Sequence, residues 1–250
     1  MSNISSETLF HFTNLENLKG ILENEFCPRY SIEVVEYAGV IIETAYPMVC
    51  FCDIPLSQIK AHLKHYGNYG IGMSREWIFS KKLNPVMYLR IGSDLHEWLF
   101  RLTKGTGSSW ESANSHIIEI TKGLEFLLRH VKPFQGKSRR TGAKIKFYNE
   151  REWRYIPFLF EEDMEQIHIG PLRVDQFRDP NCLREHNEKI ERFKLSFDPK
   201  DIKYIIVNKE REILEMVEYL HKVKSPKYDD DTIKILTSRI ITCEQIQKDF

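Results

Sequence analysis

The chain has 250 residues, of which 42% are hydrophobic and 12% aromatic, so it can bury a substantial core and is excluded from the disordered class. The chain has 36 basic residues (Lys and Arg) and 36 acidic residues (Asp and Glu). The protein is therefore neither strongly basic nor strongly acidic, and its net charge does not indicate a class of partner. The five cysteines, two of them at Cys50 and Cys52, do not form a secreted disulfide pattern and favour reduced thiols. No signal peptide or membrane-length apolar run is recognisable, so we expect a cytoplasmic protein without a membrane segment.

The first third of the chain predicts short strands separated by short helices. A capping-box spacing at residues 13–16 precedes apolar positions at helical intervals, so a helix should follow the first strand. A second helix should open at Asp53 and Pro55 and close at Gly67, and a third surrounds Trp77. The strands are predicted at residues 9–12, 34–42, 48–52, 69–73 and 86–90.

The remainder of the chain predicts a helical insertion, a long strand and a C-terminal unit. Residues 94–131 follow a helical pattern, and residues 143–160 alternate as one strand, bent near Asn149. Residues 173–194 are charged and predict a surface helix. A strand at 202–207, a helix at 210–223 and a strand at 233–241 form a β-α-β arrangement. We therefore divide the chain into 1–170 and 171–250, which can also pack into one domain.

Two distant segments place titratable groups inside apolar, strand-like runs. His11 lies in one, and Glu150 and Glu152 lie in the other, where strand alternation would put both carboxylates on one face. Brought together over a cleft, a histidine and a glutamate suit the binding of a nucleotide sugar. The plainer interpretation is a core histidine and glutamates that pair with arginines such as Arg29 or Arg90.

Several motifs resemble the AbiGi family of bacterial abortive-infection proteins. They lie at residues 9–13, 17–22, 26–31, 47–57, 69–74, 149–154 and 233–250, and so cover nearly the whole chain. The resemblance implies antiphage defence, in some cases as the antitoxin of a two-component system whose second protein resembles a nucleotidyltransferase.

The His-x-Thr strand and the Asn-Leu-x-x-Ile-Leu helix after it are also similar, more distantly, to DarT-like ADP-ribosyltransferases. That resemblance implies an α+β fold with an ADP-ribosyltransferase-like split β-sheet, inserted helices and the C-terminal β-α-β unit, and NAD as co-substrate. It makes His11 and Glu150 or Glu152 catalytic. The implied cofactor-binding residues are His11, Thr13, Arg29, Tyr30, Tyr66 and Tyr69, and the choice among the tyrosines stays open.

A basic segment at residues 132–144 precedes the glutamates and predicts a mobile loop over the site. Its charge favours a phosphate-bearing acceptor such as RNA or DNA, although a solvated loop explains it equally well. The substrate-binding residues predicted here are Lys137, Arg139, Arg140 and Lys144.

The sequence thus supports two classes of function. The first is an NAD-dependent ADP-ribosyltransferase-like toxin that modifies a nucleic acid or a protein. The second is a non-enzymatic antitoxin or regulator that binds a toxin partner. We predict no metal site, because Cys50 and Cys52 with His62 and His65 do not form a usual zinc knuckle, and a two-metal nuclease would need an acidic cluster that the sequence lacks.

Overall fold

The computed structural model describes residues 6–37, 39–105, 115–138, 141–157 and 170–249. Within these ranges the chain is α+β, as predicted. The strands are β1 Thr8–Thr13, β2 Arg29–Tyr37, β3 Val40–Cys52, β4 Tyr69–Ser74, β5 Asn84–Pro85, β6 Met87–Leu89, β7 Val131–Pro133, β8 Gly136–Lys137, β9 Lys144–Ile145, β10 Glu152–Tyr155, β11 Leu172–Arg173, β12 Ile202–Val207 and β13 Ile240–Thr242.

A nine-stranded sheet organises the described residues. Its strands follow the order β13-β12-β4-β1-β3-β10-β5, and β2 and β11 pair with β3. All of these pairs are antiparallel except β12 with β13, which run parallel. The C-terminal strands therefore extend the same sheet that holds β1. Two small ribbons, β6 with β7 and β8 with β9, lie outside it.

Helices connect these strands. Their bounds are α1 Leu15–Asn24, α2 Lys60–Tyr66, α3 Arg75–Ser80, α4 Asp94–Gly105, α5 Ser115–Arg129, α6 Val174–Arg178, α7 Pro180–Ile190, α8 Ile213–Lys224, α9 Asp230–Thr237 and α10 Cys243–Asp249. The side chain of Asn14 caps α1 by accepting a hydrogen bond from the Asn17 N–H, which satisfies one of the free donors of the first turn. Gly67 ends α2 with φ of 117°, where a Cβ would lie 2.3 Å from the Thr13 carbonyl oxygen.

The sheet separates two apolar layers. Leu9 of β1 points to the layer that contains α1, α3 and α8, together with Phe26, Phe51 and Trp77. Phe10 points to the other layer, where it packs with Ile59 and Leu63 around α2. Opposite residues of an antiparallel pair share a face, so the pairing of Phe10 with Cys52 and of Cys52 with Glu152 puts Glu152 in the Phe10 layer.

Several predicted elements are confirmed, among them β1, α1, β4 and β12, and the helix that Gly67 closes. Three predicted strands are wrong in extent. Residues 34–42 form the end of β2, a turn and the start of β3, because Gly39 adopts φ of 75° and reverses the chain. Residues 233–241 are mostly α9, so the C-terminal unit is β-α-α-β. The third predicted strand, at residues 143–160, is interrupted by a 3-10 turn at Phe147–Glu150.

None of the helices in the described ranges is both long enough and apolar enough to cross a membrane.

Candidate functional site

The two predicted glutamates meet at one buried lysine. Lys132 of β7 places its Nζ 2.6 Å from Glu150 Oε2 and 2.5 Å from Glu152 Oε2. All three side chains are largely shielded from water. Because ionised groups are stable in such surroundings only when paired, Lys132 determines how both carboxylates are held.

Further hydrogen bonds and ion pairs surround this triad. Arg154 Nε lies 2.6 Å from Glu152 Oε1, and its Nη2 lies 2.9 Å from Glu33 Oε1 on β2. The Tyr66 hydroxyl, at the end of α2, donates to Glu150 Oε1. The network therefore joins β2, β7, β10 and α2 on one side of the sheet.

A short 3-10 turn, not strand alternation, brings the two glutamates together. Residues Phe147–Glu150 form this turn, and Arg151 then adopts a left-handed conformation with φ of 44° before β10 begins at Glu152. The predicted continuous strand at residues 143–160 is wrong for this reason, and residues 158–160 lie outside the described part of the chain. The 3-10 turn and the left-handed conformation of Arg151 let both carboxylates face Lys132.

The electrostatics of the cluster favour fully charged side chains. Burial opposes ionisation of Glu152, but the charges of Arg154 and Lys132 outweigh it and hold the pKa of Glu152 well below its usual value. Burial likewise acts against the Lys132 ammonium, and the neighbouring carboxylates, that of Glu152 first, nevertheless raise its pKa well above the usual value. A carboxylate so stabilised is a poor proton donor or acceptor near neutral pH.

His11 lies on the opposite face of the sheet from these glutamates. It is the neighbour of Phe10 on β1, so it points into the layer of Phe26 and Phe51, whose ring centroids are 5.5 and 5.7 Å away. Its Nδ1 lies 2.8 Å from the Cys50 carbonyl oxygen. Burial lowers the pKa of His11 and outweighs this hydrogen bond, which acts to raise the pKa. The imidazole is therefore neutral at pH 7. The structure does not bring His11 and the two glutamates together.

The predicted cofactor-binding residues are distributed over the same two faces. Thr13 and Tyr69 are cross-strand partners on the His11 face, where the Tyr69 hydroxyl donates to Glu212 Oε1 at 3.2 Å. Tyr30 packs in a separate cluster with Ile190 of α7.

Two further members of this predicted set lie on the side of the glutamates. Tyr66 contacts Glu150, and Arg29 is an exposed residue at the start of β2 whose cross-strand partner is Met48. The set therefore does not converge on one cleft.

Of the predicted substrate-binding residues, Lys137 and Lys144 form a cross-strand pair in the β8–β9 ribbon. Arg139 and Arg140 lie outside the described residues. The ribbon lies in the chain between β7, which carries Lys132, and the turn that carries Glu150, so it stands next to the glutamate cluster.

Sequence reasoning missed Lys132 and Arg154 as members of the site. Arg154 could have been found, because it lies two residues from Glu152 and strand alternation puts both on one face. No pattern in the sequence distinguishes Lys132 from the basic residues that follow it, so it could not be identified as a site residue.

Of two cavities in the described structure, one lies away from the cluster and the other is lined in part by Glu33 of the network. A groove of about 520 Å³ is bounded by residues of β12, β13 and α10, including Tyr204, Arg239 and Gln245. A cavity of about 40 Å³ lies between the β2–β3 hairpin and the α4–α5 layer, with Glu33 and Phe100 in its wall. No group of three or more potential metal ligands occurs among the described residues.

Comparison with known proteins identifies the family. The model of the family described as "Putative abortive phage resistance protein AbiGi, antitoxin" matches residues 24–208. The chain is also similar to the abortive phage resistance protein AbiGi of Lactococcus lactis subsp. cremoris, with 27% identity over 252 aligned positions that cover 90% of this chain and 99% of the relative. No solved structure matches it significantly. With motifs, family model and relative in agreement over most of its length, the chain belongs to the AbiGi family of abortive phage resistance proteins.

Proposed function

We propose that this protein is the antitoxin of a two-component abortive-infection system and neutralises its toxin by direct binding. One observation carries the proposal: Glu150 and Glu152 are buried and already paired with Lys132 and Arg154, while His11 lies across the sheet. Such an arrangement suits a stable scaffold for protein binding better than acid–base catalysis. The antitoxin description of the family supports the same conclusion.

Helix α4 supplies a surface for that binding. Leu95, Trp98 and Leu102 form one stripe and are 58, 62 and 54% exposed, while Leu99 and Phe100 of the same helix are buried. The helix is therefore apolar on two faces, of which the core covers one. Large exposed apolar patches on monomeric proteins are often functional, so this stripe is a candidate contact surface.

The composition of the stripe resembles the centre of a protein interface. The Arg101 guanidinium carbon lies 5.6 Å from the Trp98 ring, a cation–π distance. Tryptophan and arginine are the residues that most often dominate binding energy at interfaces. We assign the toxin contact to this stripe of α4.

Co-expression with a candidate toxin encoded beside this gene tests this function. The protein alone should leave bacterial growth unchanged and should restore growth when the toxin is present. Trp98→Ala combined with Leu102→Ser should abolish the rescue and the co-purification of the toxin. Leu214→Ser on α8 is the matched control, because Leu214 is 73% exposed and lies on another helix. Equal rescue by the α4 variant and the control would reject the assignment.

The competing candidate is NAD-dependent ADP-ribosyl transfer. It is favoured by the Tyr66–Glu150 contact beside the basic β8–β9 ribbon, where an acceptor with phosphates could bind. Release of nicotinamide from NAD with attachment of the ADP-ribose to an acceptor, together with toxicity when the protein is expressed alone, would establish the transferase and reject the antitoxin. Glu152→Gln should then remove both effects in a protein that still folds.

A further inference from the structure

The β8–β9 ribbon presents a repulsive pair of lysines to solvent. Lys137 and Lys144 are directly opposite each other in antiparallel pairing, and both are exposed. Like charges in this position destabilise a ribbon unless an anion lies between them. Neither lysine forms an ion pair with a described residue. The pair is therefore an unfavourable arrangement of the isolated protein that an anionic ligand would relieve.

The other face of the ribbon explains why both lysines point outward. Gly136 packs against Phe147, since a Cβ on this glycine would lie 2.8 Å from the Phe147 ring. Gly136 and Ile145 thus occupy the inner side of the ribbon, and Lys137 and Lys144 the outer side. Lys146 follows Lys144 by two residues in extended backbone, so it shares the outer side, and it too is exposed.

An open aromatic ring lies next to these charges. Tyr148 is 51% exposed, and its ring stacks on Phe134 with a centroid distance of 5.3 Å and an interplanar angle of 29°. Tyr88 supports it edge-on at 5.4 Å, and the Tyr148 N–H donates to the Phe134 carbonyl at 3.2 Å. Tyr148 is two positions after Lys146, which limits their Cα separation to about 7 Å. A fixed, solvent-facing ring beside a row of lysines is the arrangement that holds a base and its neighbouring phosphates.

We propose that Lys137, Lys144, Lys146 and Tyr148 form a binding site for single-stranded nucleic acid. The three lysines contact successive phosphates, and an unpaired base stacks on the free face of Tyr148. A duplex, whose bases are already stacked on one another, cannot use the tyrosine. This site is distinct from the α4 stripe, so it gives the protein a second binding activity that does not depend on neutralisation of a toxin.

Fluorescence anisotropy on the full chain tests the site, with labelled RNA and DNA strands of about 12 nucleotides and the corresponding duplex. The wild-type protein should bind single strands more tightly than duplex, and more weakly as salt increases. Lys137→Gln, Lys144→Gln and Lys146→Gln combined should weaken binding at least about tenfold and flatten the slope of log K against log salt by about 2. The Lys→Arg triple variant, which keeps the positive charges, should retain both the affinity and the salt slope of the wild type.

Tyr148→Ala should weaken binding about fivefold or more without changing the salt slope, while Tyr148→Phe should bind like the wild type. Melting temperatures within about 2 °C of the wild type exclude unfolding as the cause. A difference between RNA and DNA identifies the sugar that the site prefers. No binding of single strands at about 50 mM salt, equal binding by the Lys→Gln triple variant, or tighter binding of duplex would overturn the proposal.

Discussion

Replacement of Lys132 by methionine should destabilise the protein strongly. The change keeps the length of the side chain but removes the ammonium that lies 2.6 Å from Glu150 and 2.5 Å from Glu152, so charge stays buried without its partner. Breaking a buried ion pair in this way costs about 3–5 kcal/mol. That is a large part of a typical unfolding free energy of about 5–15 kcal/mol, and it should lower the melting temperature by roughly 6–20 °C.

Urea unfolding followed by circular dichroism measures this loss, and Lys189→Met on α7 is the control. Lys189 Nζ lies 2.6 Å from Glu185, as close as in the buried pairs, but the two side chains are 47 and 63% exposed. A solvated pair of this kind contributes at most about 0.5 kcal/mol. A loss below about 1 kcal/mol for Lys132→Met, or equal losses in the two variants, would refute the reasoning that burial makes this cluster important.

The effect of Lys132→Met should also depend on pH. Since the pKa of Glu152 is lowered in the folded protein, its stabilising contribution is complete above the unfolded value of about 4.3 and is lost as the pH falls toward the folded value. The raised pKa of Lys132 means that its contribution is complete below about 10.4 and is lost as the pH rises through the folded value. The difference between wild type and variant should therefore be largest near pH 7 and shrink toward pH 3.

Two further predictions concern β1 and its surroundings. Gly67→Ala should destabilise more than Gly92→Ala, because both glycines have positive φ but only at Gly67 does a Cβ meet backbone, 2.3 Å from the Thr13 oxygen. Chemical denaturation should show a loss of about 1–2 kcal/mol for Gly92→Ala and a clearly larger one for Gly67→Ala, and equal losses would contradict the contact. The His11 imidazole should titrate below its usual value of 6.5 in an NMR experiment, because burial outweighs its hydrogen bond to Cys50, and a midpoint above 6.5 would contradict this.

Elements with a local signal were predictable from the sequence. The capped apolar pattern after residue 13 predicts α1, and the alternation of glycine with apolar residues predicts β4. The glycines of β4 leave room for the Phe10 and Phe12 rings. The hairpin between β2 and β3 was missed, because its apolar residues continue on both sides of Gly39 and hide the turn. In α9, Ile233 and Leu236 have the i, i+3 spacing of a helix, and Asp229 caps it, but their β-branched neighbours suggested a strand.

The candidate site could be predicted only in part, because its geometry depends on contacts between distant segments. Both glutamates were predicted to share a site and both contact Lys132, but the 3-10 turn before the left-handed Arg151, not strand alternation, brings them there. The separation of His11 from Glu152 follows from the order of β1, β3 and β10 in the sheet and from their register. These pairings join Phe10 to Cys52 and Cys52 to Glu152, which are 42 and 100 positions apart, and local patterns carry no information on them.

The central position of β1 restricts how the protein can be shortened for experiments. The family match begins at residue 24 and ends at residue 208, whereas β1 is Thr8–Thr13 and pairs with β3 on one side and β4 on the other. A fragment trimmed to the matched residues would lose the middle strand of the sheet and leave two inner strands with open hydrogen-bonding edges. Such a fragment would aggregate, so a shortened gene for this protein has to keep the codons of Thr8–Thr13.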